Sequence, residues 1–208
     1  MLVITPLPVE AQSLKAALGT PKATEKFGKL NVDRFDNIAL AVGGQGKVQF
    51  ALSTQFLIEQ LRPSLVVCAG ACGALDPQLK LMDVVAGQST IEHDYNMKFV
   101  SRPLPRFPGD PASLKKLETI PLLQFGDIAS GDEDIIDPQR VQSLRDVTGA
   151  LAVAWEGAGG ARACRFAQVP YLELRVVTDT CDRKSIADFA QNVVLGMPQI
   201  KQALLALK

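Results

Sequence analysis

Three carboxylates stand where the chain changes character. Glu156 and Asp179 directly end the apolar runs 150–155 and 171–178, and Glu10 follows the short apolar run 2–5 across the turn carrying Pro6 and Pro8. A carboxylate beside buried segments is costly to desolvate, so it is paired, caps a helix, or serves a ligand. As local features, Glu10 would complement the dipole of a helix starting near Val9, Glu156 would cap a helix from Gly157, and Asp179 would cap the last helix or simply end its strand. As a set they could give one small molecule an acid, a base and a hydrogen-bond acceptor, because open α/β sheets bind ligands outside the carboxyl ends of their strands. The small-residue stretch Gly70-Ala71-Cys72-Gly73-Ala74, after the apolar run 64–70, is a fourth such strand end.

The remaining inventory narrows the chemistry. His93 is the single histidine, which removes zinc constellations that need two imidazoles and makes a Ser/His/Asp triad depend on one residue. Acid and base work therefore falls to carboxyl groups. Within Glu92-His93-Asp94-Tyr95, His93 reads as a structural or rim residue. Gly44-Gln45-Gly46-Lys47 lacks the spacing of a phosphate loop and reads as a glycine-rich start to a close-packed helix. Cys68, Cys72, Cys164 and Cys181 have no CxxC spacing and read as buried free thiols in a reducing compartment. No metal or cofactor is expected.

Periodicity supplies the elements that must position these residues. Strands are expected at 2–5, 64–70, 83–93, 123–129, 150–155 and 171–178, with a hairpin of 29–35 and 37–42. Helices are expected at 9–18, 47–61, 111–118, 138–145, 157–167 and 186–207, the Ala/Gly-rich 157–167 able to pack closely. The proline-rich segment 101–110 reads as a loop. Strands alternating with helices argue for an α/β domain with a parallel or mixed sheet, and residues 1–208 read as one domain with no linker or repeat to divide them. The 22 Lys and Arg balance 22 Asp and Glu, and 47% of residues are hydrophobic. That excludes disorder and gives no cationic excess for nucleic acid or a membrane surface. No stretch approaches the roughly 18 apolar residues of a membrane span, and the start lacks a signal-peptide pattern, so a cytoplasmic protein is expected.

Taken in order, the motifs resemble the purine nucleoside phosphorylase and nucleosidase superfamily, most closely the methylthioadenosine/S-adenosylhomocysteine nucleosidases, over nearly the whole chain. Residues 4–11 are similar to its opening strand and acidic turn, GGQGKV (43–48) to SGIGKV, and VVCAGACGAL (66–75) to its apolar strand and small-residue substrate loop. LKLMDVV (79–85) is similar to LKVGDIVV, His93-Asp94 to a His-Asp pair, IASGDEDI (128–135) to IVSGDxFI, Trp155-Glu156 to Met-Glu, and RVVTD (175–179) to RAISD. The resemblance implies a three-layer α/β/α domain around a central mixed sheet. It also implies hydrolysis of the N-glycosidic bond of a purine nucleoside, a 5′-modified adenosine such as methylthioadenosine or S-adenosylhomocysteine. A futalosine-like substrate is a further branch, with which Thr5-Pro6-Leu7 is compatible.

By the same resemblance, Asp179 is the protonated general acid donating toward N7 of the purine, and Glu10 orients and deprotonates the attacking water. Glu156 accepts hydrogen bonds from ribose hydroxyls beside Trp155. Ala71, Cys72 and Gly73 form the substrate loop, backbone groups near Asp134 and Ile135 read the base edge, Arg175 and Thr178 orient the loop of the acid, and Phe189 joins the substrate-binding residues. Family pockets are completed across subunits, so a homodimer or higher homo-oligomer is implied. Four positions depart from the pattern: Ala71 replaces a serine, Ala154 an acid, Trp155 a methionine, and Asp134 the aromatic that stacks on adenine. Neither the N-terminal turn nor residues 70–74 carry Arg or Lys to bind phosphate, which favours hydrolysis over phosphorolysis. A phosphorylase, and a nucleoside-binding protein without turnover, are the alternatives.

Overall fold

A computed structural model gives the fold and describes residues 1–100, 102–121, 123–182 and 185–207. The chain begins with β1 (Leu2–Thr5), α1 (Pro8–Leu18), β2 (Ala23–Phe27), β3 (Leu30–Arg34), β4 (Ala39–Val42) and α2 (Lys47–Leu61). It continues with β5 (Val66–Ala74), β6 (Val84–Glu92), β7 (Arg106–Pro108), α3 (Pro111–Leu117), β8 (Leu123–Ser130), α4 (Pro138–Thr148) and β9 (Ala152–Ala154). It ends with α5 (Gly157–Ala167), β10 (Tyr171–Asp179), α6 (Ser185–Gly196), a 3-10 turn (Met197–Gln199) and α7 (Ile200–Ala206). Local chemistry sets several boundaries. Pro8, Pro111 and Pro138 open helices, where the missing N–H costs nothing. The side chains of Asp110 and Asp137 accept from the free N–H groups of Ser113 and Gln139, both at 2.8 Å.

The described strands form one mixed sheet in the order β10-β6-β8-β9-β5-β1-β4-β3-β2, with β7 beside β6. Because β10 also pairs with β5, the strands β5, β10, β6, β8 and β9 close into a ring, and β1, β4, β3 and β2 extend from it. β1, β4, β5 and β10 run parallel, as βαβ connections require. One face of the sheet packs on α1, α6 and α7 through Val67, Leu172, Leu174, Val193 and Leu204, and the opposite face packs on α2 and α5 through Phe50, Leu57, Ala158 and Cys164. Burying each large aliphatic side chain contributes about 1.5–3 kcal/mol, enough for these two layers to hold the strand ends in register. The three-layer α/β/α reading is borne out.

Several expectations are corrected. Residues 70–74, read as a loop after the central strand, are the second half of β5, paired to β10 on one side and to β9 on the other. Small side chains let this segment run between two strands without leaving the sheet. The strand expected at 150–155 shortens to β9. The loop expected at 101–110 contains β7, in which Phe107 pairs with Thr90 and Pro108 lies opposite Ser89, an edge position where proline is tolerated. β2, too polar to be expected, pairs antiparallel with β3. The single helix expected at 186–207 is two helices joined by the 3-10 turn, since Pro198 lacks an N–H and clashes with the preceding turn. The hairpin of β3 and β4, and the close packing of 157–167, are as expected: a Cβ at Gly159 would lie 2.2 Å from the Lys47 carbonyl oxygen of α2.

Candidate active site

Every site residue expected from the sequence lines one cavity of about 340 Å³ at the carboxyl ends of β1, β5, β9 and β10: Glu10, Ala71, Cys72, Gly73, Asp134, Ile135, Trp155, Glu156, Arg175, Thr178, Asp179 and Phe189. The volume suits a small ligand. Glu10 sits in the first turn of α1, 2% exposed. Its Oε2 accepts from the Leu7 N–H at 2.7 Å and its Oε1 from the Ala71 N–H at 2.8 Å, which joins the end of β1 to the middle of β5. Burial raises its pKa to about 7, against the opposing pull of these two N–H groups and of Arg175.

Glu156 follows β9 and is also buried. Its Oε1 accepts from the Gly46 N–H at 3.2 Å, and its Oε2 lies 3.7 Å from Arg175 Nη2. Gly46 holds φ +83° at the start of α2, a conformation that favours glycine. The glycine-rich turn thus presents its N–H to a carboxylate of the protein. Burial raises the Glu156 pKa, with Arg175 opposing. Asp179 ends β10 half-buried. Its Oδ1 accepts from the Cys181 N–H at 3.0 Å, and the Thr178 hydroxyl lies 3.2 Å from Oδ2 and 3.3 Å from the Cys72 carbonyl oxygen. Asn192 of α6 donates to the Thr178 carbonyl at 2.7 Å, fixing this strand end from the helix that also brings Phe189 to the cavity.

Arg175 is 1% exposed. Its Nε donates to Glu173 at 2.8 Å, its Nη1 to the Ala71 carbonyl at 3.2 Å, and its Nη2 to Cys68 Sγ at 3.3 Å. It therefore lies beneath Glu10 and Glu156 as a shared counter-ion, a larger role than orienting the loop of the acid. Among the described lining residues it is the only cation, against the carboxylates of Glu10, Glu133, Asp134, Glu156 and Asp179. One end of the cavity is made by residues 133–136, with Asp134 exposed at the rim. Behind this segment, Lys47 reaches Glu92 and Asp94, Asp94 accepts from the Asp132 N–H at 3.0 Å, and Asp132 accepts from the Lys47 N–H at 2.8 Å. His93 is buried behind the same segment and does not line the cavity, consistent with a structural part. All four cysteines are buried and free, and among the described residues no cluster of His, Cys, Asp and Glu could hold a metal.

The sequence model of the phosphorylase superfamily matches residues 1–207. The chain belongs to the phosphorylase superfamily. Among its members, the 5′-methylthioadenosine/S-adenosylhomocysteine nucleosidase of Glaesserella parasuis is 26% identical over 99% of this chain and 96% of its own length. The protein of the same name from Staphylococcus haemolyticus is 31% identical over 79% of this chain and 76% of its own. Solved structures share the fold: the futalosine hydrolase of Helicobacter pylori superposes with TM-score 0.89 at 22% identity, covering 99% of this chain and 95% of that one. A Helicobacter pylori nucleosidase variant crystallised with 5′-methylthioadenosine in its active site gives TM-score 0.91 at 22% identity, covering 99% and 96%. Set on this phosphorylase-superfamily frame, the cavity also includes Gln45, Glu133 and Cys181, which the sequence did not mark as site residues. Glu173, beneath the cavity, was missed as well. Its one available signal was an acid and a base two residues apart in an otherwise apolar strand, a spacing that puts both on the same face.

Proposed function

We propose that the protein is a nucleosidase that uses water to cleave the N-glycosidic bond of a purine nucleoside, of the 5′-modified adenosine type that the names of its relatives describe. The observation that carries this reading is the convergence of Glu10 from the start of α1, Glu156 after β9 and Asp179 at the end of β10 on one cavity, in which the one cation among the described lining residues is already paired. Bond cleavage gives the ribose oxocarbenium character, so the site must supply a proton to the leaving base, hold the sugar, and deliver a nucleophile to its anomeric carbon. Asp179 donates its proton to N7 as the C–N bond breaks. Glu10 removes a proton from the water that forms the new C–O bond, and the products are the free base and the free sugar. A base works best when its pKa lies near the working pH, and Glu10, raised to about 7 by burial, meets that condition. Glu156 accepts from the ribose hydroxyls with Trp155 against the sugar. Phosphate would meet five carboxylates and one buried, already bonded guanidinium, so it is poorly matched as the nucleophile.

The homo-oligomer belongs to this proposal too. On α2, Val48, Leu52 and Phe56 are exposed at four-residue spacing, and Phe166 is exposed on α5, the helix that packs against α2. An apolar stripe of this kind is a self-association surface in a chain of zero net charge. The reading is tested by incubating the purified protein with methylthioadenosine, S-adenosylhomocysteine, a futalosine-type nucleoside and inosine, with and without phosphate, and identifying the sugar. Free sugar supports hydrolysis. A sugar 1-phosphate would replace it by phosphorolysis, and binding without base release would leave a nucleoside-binding protein.

A further inference from the structure

β10 carries a line of polar side chains on one face. Tyr171, Glu173 and Arg175 alternate with Leu172, Leu174 and Val176, and the line runs along the strand to the cavity, ending before the β-bulge between Val177 and Asp179. Glu173 is completely buried. One of its carboxylate oxygens accepts from Arg175 Nε at 2.8 Å, and the other accepts from Thr90 of β6 and lies 3.3 Å from the Tyr171 hydroxyl, which also donates to the Gly157 carbonyl at 2.9 Å. The fit is tight: a Cβ at Gly157 would lie 2.3 Å from each Glu173 carboxylate oxygen, so α5 can start there only with glycine. Burying an ion pair is costly and is a weak way to add stability, and an apolar residue would fill the strand interior more simply.

We propose that Glu173 is a positioning residue: it holds the Arg175 guanidinium between Glu156 and Glu10, and its charge limits how strongly that guanidinium acts on the water-activating carboxylate. The geometry leaves Arg175 little choice. With Nε on Glu173 and Nη1 on the Ala71 carbonyl, the guanidinium plane is fixed, and Nη2 faces Glu156. A Cβ built at Gly70 would sit 2.6 Å from Arg175 Nη1 and 2.9 Å from Glu10 Oε1, so both groups press on the same point of β5. The groups facing Glu10 are Arg175 of β10, Glu156 after β9, the Ala71 N–H of β5 and the Leu7 N–H of its own turn. Those facing Glu173 are Arg175 and Tyr171 of β10 and Thr90 of β6, with Gly157 of α5 closing the top. Glu156 and the buried Cys68 thiol also lie within electrostatic reach of both carboxylates, but of these groups Arg175 is the one that hydrogen-bonds Glu173. Removing or withdrawing the Glu173 charge leaves more of the guanidinium's field for Glu10, which favours its ionised form.

The inference rests on the role given to Glu10 above, and the test separates the two. The pH dependence of kcat/KM for base release is measured for the wild type, Glu173→Gln and Glu173→Asp, alongside a titration of the Glu10 carboxyl carbon by NMR. Gln keeps the volume, and the Thr90 and Tyr171 hydroxyls can turn to match it. Asp keeps the charge but withdraws it by one methylene. Both variants are expected to move the acidic limb and the Glu10 titration to lower pH, Gln by on the order of one unit and Asp by less. If Gln does not fold, the Asp variant alone carries the comparison. Variants that lose thermal stability but titrate and turn over with the wild-type pH profile overturn the inference, because a purely structural Glu173 has no means of moving Glu10. A wild type that releases no base would instead overturn the proposed reaction, while the NMR titration still decides the part played by Glu173.

Discussion

Glu10 keeps both carboxylate oxygens on backbone N–H groups, yet burial still raises its pKa to about 7. For a group that must be ionised to take a proton from water, kcat/KM should fall on the acid side with a midpoint near 7, read directly from a pH profile of base release. The same shift acts on stability. Its native pKa lies above the unfolded value of 4.5, so the native state holds the proton longer. This contribution is fully present below 4.5 and is lost as pH rises through 7, by at most about 3 kcal/mol. Glu10→Gln should therefore gain stability relative to the wild type between pH 5 and pH 8 in urea unfolding, and a difference that does not change with pH would contradict the shift. At this scale the sequence was readable where a charge interrupts an apolar run, as at Glu10, Glu156 and Asp179. It was not readable at Glu173, whose partners Thr90 and Gly157 are distant in sequence and meet it only when β6, β10 and α5 pack.

Elements carry the carboxylates to one place through close approaches that tolerate little added volume. α5 starts at the residue after Glu156, and its Gly159 touches the Lys47 carbonyl of α2, whose preceding residue Gly46 binds Glu156. Gly159→Ala would force the two helix ends apart. Overpacking of this kind costs about 1–3 kcal/mol, so the urea midpoint should drop with little change in m-value, and KM should rise because Glu156 moves with the helix start. A variant as stable as the wild type would show that the helices can separate freely. Strands and helices with a strong apolar period were legible, including β1, α2, β6 and β10. β2 and β7 were not, since each is short, polar or proline-flanked and is set by the neighbour it pairs with. The break in the last helix was signalled by Pro198, but apolar periodicity continues through it on both sides.

At the scale of the whole molecule, the closed ring of β5, β10, β6, β8 and β9 fixes the cavity, while the exposed stripe of Val48, Leu52 and Phe56 faces outward from α2. Sedimentation should show an oligomer that Leu52→Glu shifts toward the monomer, since a charge in an apolar contact is left unpaired. A monomeric wild type would assign that stripe another use. The layered α/β class was legible because strands and helices alternate. The ring was not, because β10 reaching both β5 and β6 depends on register between segments far apart in sequence. The central claim is that this frame brings a base and an acid to opposite ends of one glycosidic bond. It is tested most directly by measuring adenine release from methylthioadenosine by the wild type, Glu10→Gln and Asp179→Asn, each checked for folding by circular dichroism. The wild type should release adenine, and each variant should lose at least about 10²-fold in kcat; near-normal turnover in either would contradict the account.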